Sequence, residues 1–288
     1  MKTNKGLTLT IIFEAESMNY GEGMGNVSVL KKMTKSDGKT YTYISRQALR
    51  YNIVEQMGCD DTPTSSEKGV VQFSPETSID KYAEIDLFGY LKTEKGSSGA
   101  KRSAVVRLSN AESLTPFASD ADFLNNMGLA SRCGADNALA KSEIHNTMYA
   151  YTVTIDLDRV GIDGDVEISQ EEKAKRICDL LDTIKTLHRD IKGRTENLNP
   201  VFVVGGVYDS KNPFFLGNLR MENGELDCDL LADTINCYKE TEGKTLVAAS
   251  ANRFANANDI KSICTDSIHD LFEKVKDEVT KYYESDKD

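Results

Sequence analysis

Two arginines four residues apart, Arg46 and Arg50, follow a serine suited to opening a helix, and that spacing sets both on one side of it. In the run Tyr43-Ile44-Ser45-Arg46-Gln47-Ala48-Leu49-Arg50, Ser45 is a good N-cap, and Ile44 and Leu49 occupy the positions of a hydrophobic staple. Gly58 follows Met57 as a stop signal, so the pattern predicts a helix over 46–57. Leu49, Ile53 and Met57 form its apolar stripe, and both arginines fall close to that stripe. A guanidinium on the core side must snorkel, pair with an acid or meet an anionic ligand, because burying it alone is costly. The first turns of a helix also present free N–H groups, which makes a phosphate one natural partner. Glu14 or Glu16, reached past a sheet edge, is the other, and the residues leave both open. Upstream, Asn19-Tyr20-Gly21 closes an apolar strand and belongs to the same stretch of chain.

Other groups that could do chemistry carry weaker patterns. Gly21-x-Gly23-x-Gly25 lacks the spacing of a dinucleotide fingerprint, and no helix starts there. Gly38-Lys39-Thr40 and Gly243-Lys244-Thr245 resemble the end of a phosphate loop, but Met33 and Tyr238 stand where its first glycine is required. Asp156 and Asp158 share a strand face, with Asp163 and Asp165 beyond, a geometry that permits a metal but is equally ordinary for a strand end. His145, His188 and His269 have no companion at ligand spacing; His188 and His269 are expected within helices and His145 in a loop. The six cysteines include no CxxC pair, which favours reduced thiols over disulfides or zinc. No cofactor, metal or catalytic residue is expected.

The elements that must position these groups follow from periodicity. The sequence of 288 residues is 39% hydrophobic, enough for one large domain or a core with insertions. Leu7 to Phe13 reads as a strand, and residues 18–43 as a glycine-rich loop and a lysine-bearing crossing segment. Residues 58–100 are polar, with turn signals at Thr62-Pro63, Ser74-Pro75 and Gly96-Ser97-Ser98-Gly99, and are too long for an ordinary connection. Arg102 to Ser109 returns to strand character, and 112–145 reads as loop. Thr147 to Asp158 alternates cleanly, with Tyr149, Tyr151, Val153, Ile155 and Leu157 on one face. Ser169-x-x-Glu172 is a capping box for a helix whose stripe runs from Ala174 to Ile191, ending before Gly193. Val201 to Tyr208 is a strand in which Gly205-Gly206 marks a bulge or a close backbone approach. A helix around 229–240, a short strand at Thr245 to Ala249 and a final amphipathic helix through Ile260, Ile268 and Val279 complete the chain. Without insertions the order is β-α-β-β-α-β, so the expected fold class is α/β (α+β) with a ferredoxin-like, RNA-recognition-like sheet. Helices should cover one face, and the inserted segments could wrap a ligand over the other.

The net charge of −11 argues against a nucleic-acid partner until its distribution is read. Residues 1–58 hold eight Lys and Arg against five acids, a net of +3, which leaves −14 for the rest. A second basic stretch, Lys92, Lys95, Lys101, Arg102 and Arg107, is opposed only by Glu94. An acidic protein with such segments can hold a strand in a groove behind an acidic outer face. No apolar run approaches membrane-spanning length and no signal-peptide pattern opens the chain, so a soluble cytoplasmic protein without a membrane partner is expected.

Several segments, in order, resemble a known family: Ser17-Met18-Asn19-Tyr20-Gly21, Lys31-Lys32 and 43–50; Lys101-Arg102-Ser103 through Ser109; Ser113-Leu114-Thr115-Pro116-Phe117; Ile155-Asp156-Leu157-Asp158-Arg159-Val160-Gly161; and Gly205-Gly206. Together, from residue 7 to about 220, the chain looks like the Cas seven backbone subunit of the Cascade complex of type I CRISPR systems, in the DevR-like branch of type I-B. The resemblance implies a ferredoxin-like palm (1–57, 101–111 and 146–288), a fingers insertion (58–100) and a thumb (112–145). It implies a non-catalytic subunit in antiviral defence whose copies polymerise along the guide crRNA, beside other Cascade subunits, leaving bases free to pair with target DNA. Carried over residue by residue, Asn19, Lys31 or Lys32, Ser45, Gln47 and Arg50 match positions lining the RNA path, and Arg46 and Arg102 join them on charge. Phosphate contacts of this kind position a strand without reading bases. Two rivals remain: a metal-assisted nuclease using Asp120 or Asp122 of the thumb, and a DNA-binding autoregulator, for which no helix-turn-helix pattern is present.

Overall fold

A computed structural model of the chain describes residues 4–16, 19–21, 23, 26–67, 69–93, 99–137 and 139–285; Ser17, Met18, Gly25, Glu94, Lys95 and the turn signal Gly96-Ser97-Ser98 lie outside the described residues. Its frame is a mixed α/β fold around one eight-stranded sheet, with one three-stranded and five two-stranded sheets beside it among the described residues. The strands of the main sheet are β1 (Gly6–Ala15), β2 (Lys32–Thr34), β3 (Thr40–Ile44), β4 (Val106–Leu108), β5 (Ala111–Ser113), β6 (Thr147–Asp156), β7 (Phe202–Tyr208) and β8 (Leu246–Ala249). They lie in the order β8-β7-β1-β6-β5-β3-β2, with β4 also on β6, and every pairing is antiparallel. Since β1 and β5 both run antiparallel to β6 between them, they are parallel to each other, connected through helix α1 (Arg46–Gln56). Likewise β6 and β7 flank β1 and are connected through helix α2 (Gln170–Lys185), so two β-α-β units interlock around the central pair.

Alternation in β1 sorts the core. Leu7, Leu9, Ile11 and Phe13 join Tyr149, Tyr151, Val153 and Ile155 of β6 in one buried cluster. Leu49 and Ile53 of α1, Ile177, Leu181 and Ile184 of α2, and Leu271, Val275 and Val279 of α3 (Ile268–Ser285) close it. The opposite face is not left open along its length. Ile12, Phe202, Val204 and Tyr208 pack there against Phe214, Phe215, Leu231, Phe254 and Ile260, so the C-terminal third of the chain builds a second core on part of the face that the inserted segments could have wrapped around a ligand. The anticipated close approach at Gly205 is real. Leu9 faces it in the register, its φ is 149°, and a side chain there would strike the Thr8 carbonyl.

Several expectations need correction. Residues 112–145 are not loop: β5 is followed by a hairpin of Asp120–Asn125 and Leu139–Ile144 enclosing a short helix, Met127–Cys133. Phe123, Leu124, Met127, Leu129 and Leu139 of this arm are exposed, so no buried face imposed a readable period. The strand expected over 102–109 is broken, with Ala100–Arg102 pairing Tyr90–Lys92 and only Val106–Leu108 in the main sheet. Helix α2 ends at Lys185, and His188–Ile191 turns back on Arg194–Asn197 through Lys192-Gly193, both with positive φ as a tight hairpin requires, so His188 lies in a strand. The final helix is two, Ala257–Ile263 and α3, because Thr265 leaves the helical path to donate its N–H to the Val247 carbonyl at 2.8 Å and to accept from the Val247 N–H at 3.0 Å.

Candidate nucleic-acid interface

The start of α1 is assembled by short-range chemistry. Ser45 caps the helix as expected, accepting from the Ala48 N–H, and its own N–H donates to the side-chain oxygen of Asn19 at 3.1 Å. The Lys31 N–H donates to the Asn19 carbonyl at 2.8 Å, and the Tyr43 N–H to the Lys31 carbonyl at 3.0 Å. Tyr20 pairs with Leu30, so residues 19–20 and 30–31 lie side by side near the helix N-terminus. Asn19, Lys31 and Ser45 are thereby brought to one place. Arg46 and Gln47, the first two helical residues, are exposed. Asn110 accepts from the Arg46 N–H at 3.0 Å, whereas the Gln47 N–H has no acceptor among the described residues. A free donor at the positive end of a helix, next to an exposed guanidinium, is a ready seat for an anion.

The remaining cations of the expected set divide by what they already hold. The Lys31 ammonium and the Arg46 guanidinium have no side-chain partner among the described residues. Lys32 Nζ sits 2.6 Å from Glu143 and over the Phe117 ring at 4.4 Å, and Glu143 also accepts from the Leu30 N–H at 2.8 Å. Arg50 reaches an acid, but neither of those anticipated: it pairs with Glu84 at 3.0 Å and stacks over Phe88 at 5.2 Å. Glu14 pairs with Arg253, and Glu16 with Arg194 at 3.0 Å.

Arg102 stands apart. Its side chain is 2% exposed and its guanidinium donates to Asp86 at 2.6 Å, to the carbonyl of Arg159 at 2.9 Å and to that of Ile162. Asp86, fully buried, also accepts from Arg176 at 2.9 Å and from the Gly161 N–H. One carboxylate thus ties the short helix Ala83–Phe88 to α2 and to the 159–162 turn. The charge count could not tell this arginine from a surface one. A signal was present in Ile85-Asp86-Leu87-Phe88, where an acid inside an apolar run demands a buried counter-charge.

Two further features escaped the sequence. Lys192, at the left-handed turn of the 188–197 hairpin, lies over the Tyr20 ring at 3.8 Å and donates to the Ser142 hydroxyl. His145 is buried, with Nδ1 2.8 Å from the Thr42 hydroxyl and its ring edge-on to Phe117, and burial holds its pKa below the ordinary histidine value.

For metal chemistry, the described residues contain no group of three or more His, Cys, Asp or Glu side chains able to hold an ion. The Asp156-Asp158 pair is bridged by a lysine, with Lys211 Nζ 2.6 Å from each. Asp120 and Asp122 are exposed on the hairpin arm. No helix among the described residues is long and apolar enough to cross a membrane.

Residues 7–224 match the family described as CRISPR-associated negative auto-regulator DevR/Csa2. A protein of Myxococcus xanthus (strain DK1622), described as CRISPR-associated protein Cas7/Cst2/DevR, is 32% identical over 158 residues, 48% of this chain and 52% of that relative. The match thus spans about half the length of the curated relative. Among solved structures, a chain of a CRISPR RNA-guided surveillance complex in a pre-nicking state superposes with a TM-score of 0.65 at 12% identity, over 95% of this chain and 100% of the other. A chain of a second CRISPR RNA-guided surveillance complex gives 0.62 at 15% identity, over 95% and 99%. At such identities the likeness is one of fold.

Proposed function

We propose that this chain, which belongs to the DevR/Csa2 family of CRISPR-associated proteins, is a non-catalytic RNA-binding backbone subunit of a Cascade-like surveillance complex. The observation that carries the reading is the N-terminus of α1, where backbone hydrogen bonds bring Asn19, Lys31 and Ser45 together beside a Gln47 N–H with no acceptor among the described residues, and where the exposed Arg46 and half-buried Lys31 carry side-chain charges that pair with no acid there. A helix-end N–H and flexible cations suit phosphate oxygens, which a guide of any sequence presents at every step. Lys32 and Arg50 join them by exchanging a carboxylate for a phosphate. Arg102 is set aside, since its guanidinium is enclosed by Asp86 and carbonyl oxygens.

The interlocked β-α-β units support a ferredoxin-like palm, with 58–100 as fingers and the 112–145 arm as thumb. The exposed apolar residues of that arm suit contact with a further copy of the chain, in a filament along crRNA that pairs with target DNA. The decisive experiment is to express the chain with a guide array and isolate it. Copurifying RNA of uniform length supports the reading, and absent or heterogeneous nucleic acid counts against it. Tighter retention of duplex DNA than of RNA would favour the auto-regulator role in the family's description instead.

A further inference from the structure

With Arg102 set aside, two cations of the proposed RNA path hold an acid, and only one of those acids has no other task. Glu143 neutralises Lys32 and also satisfies the Leu30 N–H, so its removal would orphan a backbone donor. The Glu84 carboxylate has Arg50 as its one hydrogen-bonding partner among the described residues. It is 14% exposed, Arg50 is 36% exposed, and the pairing is a single N–H to oxygen bond rather than a two-pronged fork. Donors of the guanidinium therefore remain for a second anion. The helix that carries Glu84 is also fixed from its other side, because Asp86 is locked by Arg102 and Arg176. The helix therefore stays in place when Arg50 lets go, and Glu84 stands ready to hold Arg50 whenever no strand is bound.

We propose that Glu84 is a built-in competitor for Arg50, a carboxylate of the 58–100 insertion that holds this arginine until an RNA phosphate displaces it and thereby lowers the affinity of one copy for RNA. The inference rests on the RNA-binding reading above. It makes Glu84 an affinity-setting residue that does not itself touch RNA. Displacement returns the carboxylate to solvent, where it is well hydrated, and the arginine passes from one anion to another without being left bare. A moderated grip suits a subunit that must settle in register on a strand, since bonds that release quickly permit correction.

The test compares wild type, Glu84→Gln, Arg50→Ala and the double variant by anisotropy with labelled single-stranded RNA of mixed sequence. Glu84→Gln should bind about two- to fivefold more tightly, the range set by a partly exposed ion pair. Glu84→Ala should behave alike, which separates loss of charge from any new amide hydrogen bond. In the Arg50→Ala background, Glu84→Gln should change nothing, because no arginine is left to release. If Glu84→Gln weakens binding or leaves it unaltered while Arg50→Ala weakens it, Glu84 merely positions the arginine or is idle, and the proposal falls with the RNA reading intact. If Arg50→Ala has no effect but Arg46→Ala does, Arg50 is off the RNA path and the proposal again falls alone. Absence of RNA binding by wild type would remove the reading itself.

Discussion

Asp86 gives the sharpest quantitative expectation. Its carboxylate is fully buried and accepts from Arg102 at 2.6 Å, from Arg176 at 2.9 Å and from the Gly161 N–H at 2.9 and 3.1 Å. Asp86→Ala leaves two guanidinium groups, 2% and 5% exposed, without that counter-charge, and orphans a buried N–H. Arg176 keeps Glu172 and the Ile79 carbonyl, but Arg102 is left with carbonyl oxygens and a 3.8 Å approach to Asp163. Removing one member of a buried ion pair destabilises by about 3–5 kcal/mol, against a total of about 5–15 kcal/mol for a typical domain. With about 2 °C lost per kcal/mol in a chain of this size, the melting temperature should fall by about 6–10 °C. Urea unfolding followed by circular dichroism measures the difference, and a cycle of Asp86→Asn with Arg102→Met isolates a coupling of about 0.5–3 kcal/mol. A loss below about 1 kcal/mol for Asp86→Ala would show that the carboxylate is not the counter-charge holding the insertion.

Three other expectations concern the strand's grip, a crowded glycine and a buried histidine. Lys31→Ala with Arg46→Ala should weaken RNA binding equally across sequences and flatten the dependence of log Kd on log salt by about 0.7 for each phosphate no longer neutralised, as read from a salt titration. Gly205→Ala, whose side chain would meet the Thr8 carbonyl at a φ of 149°, should lower the melting temperature more than Gly38→Ala, which meets open space in a surface turn. Because burial lowers the His145 pKa, the unfolded chain binds more protons there, so stability is full above the ordinary value of about 6.5 and declines as pH falls toward the lower folded value; His145→Asn should flatten that part of a pH-dependent melting curve.

What was legible in the sequence was local. Ser45 and Ser169 cap the helices they were expected to cap, since a cap is decided within four residues. The ladder of β6 was readable because one of its faces is buried from Tyr149 to Ile155. The buried clamp was not readable in detail, because Asp86 meets Arg102 across 16 positions and Arg176 across 90, and no local pattern encodes such pairings. The same limit hid Glu84 as the partner of Arg50, a pairing that spans 34 positions. The hairpin arm failed for the opposite reason. Its apolar residues point outward, so the periodicity that burial imposes elsewhere is missing.

The division of the cations bears on how such a protein could hold RNA at all. On the proposed reading, one copy meets a strand with two unencumbered cations, Lys31 and Arg46, and one free helix donor, while Lys32 and Arg50 must first give up a carboxylate. So few phosphate contacts give a weak, salt-sensitive hold. A strand seized by one copy alone would therefore dissociate readily. Linked copies change that, because each neighbour raises the effective concentration of the next site and the weak holds combine. The overall net charge of −11 works in the same direction, since an acidic excess outside the basic segments repels nucleic acid and leaves the hold to those segments. It follows that charge reversal at exposed acids of α3, for example Asp277→Lys with Glu284→Lys, should raise nonspecific RNA binding by isolated copies and erode any preference for a strand already carrying neighbours. Band-shift titrations against single-stranded RNA would read both effects, and unchanged isolated-copy binding would refute the repulsive role assigned to those acids.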